Sequence, residues 1–217
     1  MPTQSMSDYL ANSRETTQSH FQELHYYLTL KENLASTNKL QEYHRENAKK
    51  FEKIADDYTE KGMHEASKAA NKQANLENVK ADNKVDLAFQ LNKDLKLGNA
   101  GIESKIQGCS KDILSAAHLG IKKVHEKYSK CKRNLNHVSL PLYHGISLLD
   151  LIWHGRNQAE HYVEGITGDT FTTYQTLANH NTKFIGCVNN IKAFETIELL
   201  GWITYEDYEK SMELLVP

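Results

Sequence analysis

Residues 3–140 of this 217-residue chain contain no proline, and the whole sequence holds only Pro2, Pro141 and Pro217. Proline is the residue that most strongly interrupts a helix, because it lacks the N–H donor and clashes with the preceding turn. So long a proline-free stretch predicts an all-α protein. Hydrophobic residues make up only 39% of the chain, which fits long helices with one wet face. The polar start, Met1 to Asp8, carries no apolar signal region, and no apolar run approaches a bilayer span. Cys109, Cys131 and Cys187 are odd in number without CxxC spacing, as expected for reduced thiols of a cytoplasmic protein. No membrane association is expected.

Hydrophobic spacing divides the chain near Gly98. Residues 1–97 read as long helices forming an arm or hairpin, part of which can join the following bundle. A helix over 8–34 carries Phe21, Leu24 and Leu28, and Ser36-Thr37-Asn38 is expected to break it. Leu40, Tyr43, Asn47, Phe51, Ile54 and Tyr58 recur at threes and fours as the packing stripe of a second helix, closed by Lys61-Gly62. From residue 64 the stripe is alanine-rich (Ala66, Ala69, Ala70, Ala74) and firms at Leu87, Leu91 and Leu95. Such a helix needs a close companion.

Residues 98–217 read as a helical bundle with a short last helix. Ile102, Ile106, Cys109, Ile113, Ala116, Gly120 and Val124 form an unbroken core stripe. Ser129 to Gly145 reads as a loop. Ser147 with Asp150 predicts a capped helix start, and that helix is expected to run through His161 to about Glu164. Asp169 is expected to cap a helix over Phe171 to about Leu200, and Thr204 with Asp207 to cap the last one.

Charge is uneven. Residues 98–133 carry eight basic and three acidic side chains, in a protein of net charge −2. The excess gathers in Lys122, Lys123, Lys127, Lys130, Lys132 and Arg133, a candidate phosphate-contacting surface.

The chemistry-bearing run is Gly155-Arg156-Asn157-Gln158-Ala159-Glu160-His161. An arginine can neutralise a phosphate bidentately, a histidine moves protons near neutral pH, and the amide of Asn157 can orient either one. At about 100° per residue, Leu148, Ile152, Gly155, Ala159 and Tyr162 share a packing face. Asp150, His154, Asn157 and His161 share a polar one, with Arg156 beside it. His154 and Glu160 are supporting residues of the same turn set. Arg156 and Glu160 also have the spacing of an ordinary surface ion pair. His154 and His161 stand about 10 Å apart along the axis, too far to share one ion, so no metal and no cofactor are expected.

The run Arg156-Asn157-Gln158-Ala159-Glu160-His161 resembles the Arg-polar-x3-His signature of the HEPN superfamily, all-α domains found in RNA-cleaving toxins and defence proteins. The resemblance covers residues 98–200. It implies a metal-independent endoribonuclease, either a toxin or an antiphage effector. In it Arg156, Asn157 and His161 would be catalytic, and RNA would be cut to a 2′,3′-cyclic phosphate and a 5′-hydroxyl. It further implies a homodimer whose two motif helices build one site, and a neutralising protein partner (an antitoxin). Some relatives carry a tyrosine two positions after the histidine, where a partner modifies it. Here Tyr162 follows His161 directly and Val163 takes the second position, so control by that modification is not expected. A non-catalytic RNA- or nucleotide-binding domain, or a helical interaction module, is the alternative. Arg14 and His20 repeat the pair with no comparable domain after them and are set aside.

Overall fold

The computed structural model describes residues 4–95 and 99–216. Among them lie eight α-helices: α1 (Met6–Glu60), α2 (His64–Leu95), α3 (Asn99–His125), α4 (Tyr128–Asn134), α5 (Leu148–His161), α6 (Gly168–His180), α7 (Ala193–Leu200) and α8 (Tyr205–Glu213). The protein is all-α. Among the described residues the sheet content is one hairpin, β1 (Leu142–Tyr143) against β2 (Ile146–Ser147), turned by His144 and Gly145 in left-handed conformation. The side chains of Leu87, Leu91 and Leu95, and the expected boundary at Leu97-Gly98, lie outside the described residues.

The chain forms two compact units, one of residues 27–102 and the other of residues 1–26 with 103–217. The first is a hairpin of α1 and α2. The expected break at Ser36-Thr37-Asn38 does not occur, and α1 continues through it. Thr37 turns its hydroxyl back to donate to Asn33 O (2.8 Å), so its polar group is satisfied inside the helix. Gly62, at φ +69°, closes α1 as the Lys61-Gly62 pair predicts.

The packing stripe of this hairpin corrects the one expected. Leu40, Tyr43 and Ile54 are 40% or more exposed, whereas Ala48 and Ala55 are buried. The seam runs through Leu34, Thr37, Gln41, His44, Ala48, Phe51, Ala55 and Tyr58, a repeat of alternating three and four residues. It meets Ser67, Ala70, Ala74, Glu77 and Ala81 of α2, all buried. Alanines on both sides are buried in the seam beside Leu34, Phe51 and Tyr58, while Leu40, Tyr43 and Ile54 stay outside it. Two polar bridges cross it: Thr59 Oγ1 to Ser67 Oγ (2.8 Å) and His44 Nδ1 to Glu77 Oε2 (2.7 Å).

In the second unit, α3 is the central helix. Ile106, Ile113, Ala117 and Ile121 are fully buried along it. The start of α1 packs beside it, with Tyr9 donating its hydroxyl to Ala116 O (2.6 Å). Gly120 is required there, since a Cβ would stand 2.6 Å from the Tyr9 ring. Arg14 lies over the Tyr205 ring and pairs with Glu209 at 3.7 Å, a packing role. Trp202, Tyr205 and Tyr208 fill the far end of the core beneath α8. That helix starts with the complete capping box of Thr204 and Asp207.

Two further expectations are corrected. Residues 129–145 are not all loop, because α4 occupies the first part and buries Cys131. The helix expected over 171–200 is two helices. It stops at Asn181, whose side chain accepts from Lys183 N (3.0 Å), and Gly186 at φ +78° turns the chain before α7. The break leaves Ile185 62% exposed rather than on a core stripe.

Candidate functional site

Ser147 caps α5 by accepting from Asp150 N (3.1 Å). The reciprocal half of the box is not made. The Asp150 carboxylate instead accepts from the Tyr128 hydroxyl and from Lys132 Nζ (3.3 Å) on α4. Burial would raise its pKa, but these hydrogen bonds and the Lys132 charge outweigh that and hold it below the usual carboxylate range.

The inner face of α5 is the one expected: Leu148, Ile152, Gly155 and Ala159 are buried. Gly155 meets Leu114 of α3 and Thr196 of α7, so this face is consumed within the chain and is not free to meet a second copy. Gln158 is fully buried in the middle of the motif run, and the sequence reading assigned it no role. Its Nε2 donates to Cys187 O and Asn190 O (both 2.8 Å), and its Oε1 accepts from Lys192 N (2.9 Å). It thereby anchors the turn between α6 and α7 against the motif helix. Glutamine is rarely core unless all its hydrogen bonds are met, and no spacing rule would have singled it out.

Arg156 and His161 stay at the surface, with side chains 30% and 51% exposed. They turn to different partners. Arg156 donates to Asn157 Oδ1 (3.4 Å) and lies 3.9 Å from Glu160, which also pairs with Lys111 of α3 at 3.1 Å. His161 Nδ1 lies 3.0 Å from Glu164 Oε2. Of the two groups that the Asn157 amide could orient, it meets the arginine, and Glu164 meets the ring. A carboxylate on Nδ1 selects the tautomer with Nε2 unprotonated, the form that accepts a proton. Asn157, His161 and Glu164 line a cavity of about 330 Å³ closed by Gly165, Ile166, Thr167 and Thr170.

His154 does not join them. It is 6% exposed, hydrogen-bonded through Nδ1 to Thr170 Oγ1 (3.0 Å), and burial lowers its pKa, so it is a neutral ring. It lines a separate cavity of about 390 Å³ at the other end of α5.

The basic residues fall on the end of α3 and on α4 with its approach. Lys122, Lys123, Lys127, Lys132 and Arg133 are exposed and Lys130 is half-buried. Lys130 pairs with Glu126 at 2.7 Å and Lys132 with Asp150. Between this group and Arg156 stands an aromatic array: His118 against Trp153 (4.3 Å between ring centres) and Trp153 stacked on Tyr128 (4.8 Å). His118 is pushed down to about 4 by burial, then by the charges of Arg156 and Lys122. All three cysteines are buried free thiols, and burial pushes Cys109 up to about 11 and Cys131 up to about 12. Among the described residues no three His, Cys, Asp or Glu side chains converge as metal ligands, and no helix is long and apolar enough to cross a membrane.

No protein-family model, no curated protein and no solved structure matches this chain.

Proposed function

We propose that this protein is a HEPN-type, metal-independent endoribonuclease acting as a toxin or antiphage effector. The observation that carries the reading is His161. It is a half-exposed imidazole at the mouth of an open cavity, with Glu164 on one nitrogen and the other left for chemistry. In the reaction, His161 Nε2 takes the proton of a ribose 2′-hydroxyl as its oxygen attacks the adjacent phosphorus. The P–O5′ bond breaks, leaving a 2′,3′-cyclic phosphate, and the departing oxygen takes a proton from water to become a 5′-hydroxyl, while His161 returns its proton to solvent. Arg156 turns from Glu160 to the phosphorane oxygens and neutralises the added charge, with Asn157 holding the guanidinium in place. The exposed lysines of α3 and α4 bind the flanking phosphates.

Arg156 and His161 face different neighbours within one chain. The reading therefore uses a homodimer, in which the arginine of one copy and the histidine of the other meet on the outer faces of their α5 helices. A neutralising partner protein would act by covering that face. Expression of wild type beside the Arg156→Ala/His161→Ala variant, scoring growth arrest and RNA cleavage, tests the activity. Light scattering tests the dimer, and a monomer that still cuts RNA removes the composite site.

One observation favours a second reading. Glu160 already pairs with both Arg156 and Lys111, as in a structural ion-pair cluster. A non-catalytic RNA- or nucleotide-binding domain, or an interaction module, would keep RNA or partner binding in the double variant and show no cleavage in either protein.

A further inference from the structure

The larger cavity, of about 390 Å³, is lined by α4, the β1–β2 turn, the start of α5 and α6. Its groups are unevenly satisfied. Asp150 is committed to Tyr128 and Lys132. Asp169, Thr173 and the Nε2 of His154 have no partner among the described residues, and His154 is more than nine-tenths buried. That nitrogen opens onto the cavity, where a ligand or water can meet it. The turn residue His144 lines the same cavity, its left-handed conformation (φ +52°) being the one that a two-residue hairpin turn requires.

The occupant follows from which groups are left over. An unpaired carboxylate accepts from two adjacent N–H donors at once. With Nδ1–H donating to Thr170, His154 Nε2 is another acceptor. The free hydroxyl of Thr173 supplies a donor in return. One cation lines the cavity: Lys132, 61% exposed and paired with Asp150. Acceptors beside one half-exposed lysine suit a base in the cavity and a phosphate at its edge. Among the four RNA bases only guanine presents two adjacent donors, N1–H and N2–H, next to a carbonyl oxygen.

We propose that this cavity binds a guanine base, from a guanosine monophosphate or from a single-stranded RNA, with Asp169 accepting from N1–H and N2–H and Thr173 donating to O6. Lys132 then takes the attached phosphate. A base paired in a duplex has these donors already engaged, so the RNA form of the ligand is unpaired. The link to RNA rests on the ribonuclease reading, but guanine binding does not.

Calorimetric titration of the full chain with GMP, AMP, CMP and UMP tests it, repeated on Asp169→Asn and Thr173→Val. Asp169 is exposed, so its substitution spares the core, and an unchanged melting temperature checks this. GMP should bind about tenfold or more tightly than the other three, and Asp169→Asn should remove that preference, as expected for losing hydrogen bonds to a charged acceptor. Thr173→Val should weaken GMP alone. Four equal affinities, no binding, or a GMP preference that survives Asp169→Asn overturns the proposal. A single-stranded oligonucleotide with one guanosine that displaces GMP identifies RNA as the source, and failure to displace it identifies the free nucleotide. His161→Ala separates the two ideas. Loss of cleavage with GMP binding intact supports both, whereas full cleavage with GMP binding intact removes the ribonuclease mechanism and leaves the guanine site standing.

Discussion

The side-chain oxygen of Gln158 accepts the backbone N–H of Lys192 at 2.9 Å, tying the motif helix to the residue just before α7. The same amide donates to two carbonyls of the intervening turn. The interior of the Arg156–His161 run is thus a structural clamp, and Arg156 and His161 stay at the surface. Gln158→Leu leaves two carbonyls and one N–H unpaired in a buried site and should cost about 2–4 kcal/mol. Asn157→Ala, half-buried at the surface, should cost about 1 kcal/mol or less. Urea unfolding of the two variants measures the difference, and equal effects would contradict the clamp.

Gly155→Ala should destabilise by about 1–3 kcal/mol. The added methyl would stand 2.9 Å from Thr196 Cγ2, and Thr196 cannot swing away because its hydroxyl meets both Tyr174 OH (2.6 Å) and Lys192 O (2.7 Å). A melting temperature equal to wild type would show that the α5–α7 contact is looser than described.

His118 gives a pH signature. Its folded pKa is pushed down to about 4, first by burial and then by Arg156 and Lys122. An unfolded histidine titrates near 6.5. Between those values the unfolded chain binds a proton that the folded chain does not, so stability falls as pH drops from about 6.5 to about 4. The loss should reach about 3 kcal/mol at most. His118→Phe keeps an aromatic ring against Trp153 and should flatten this part of the curve. An unchanged slope between pH 7 and 5 would assign the effect to other groups.

For the proposed chemistry, His161→Ala should abolish cleavage without loss of fold. Arg156→Lys should lower the rate about a hundredfold, since an ammonium keeps the charge but loses the planar fork. Glu164→Gln should reduce the rate less, because the ring loses the carboxylate that sets its tautomer. Chelators should have no effect. Activity lost in EDTA and restored by a divalent ion would remove the scheme.

Thiol reagents should label the native protein slowly. Cys109 and Cys131 are buried and their pKa values are pushed up to about 11 and about 12, which leaves almost no thiolate at neutral pH. Fast stoichiometric alkylation in buffer, slowed by no refolding additive, would contradict that burial.

The sequence by itself determined the helical class, because scarcity of proline and three-four spacing act locally. The caps at Ser147, Gly62 and Thr204–Asp207 and the inner face of α5 were legible for the same reason, each being a relation between residues a few positions apart. Tertiary structure decided the rest. Ser36-Thr37-Asn38 stayed helical because the hairpin seam continues across it. The seam took Ala48 and Ala55 rather than Leu40 and Ile54 because its three-four register is set by the residues of α2 that face it. Gln158, Glu164 and the cavity of His154 and Asp169 depend on partners brought together from separate elements or from beyond a helix end. No spacing within α5 encodes which neighbour a polar side chain will find.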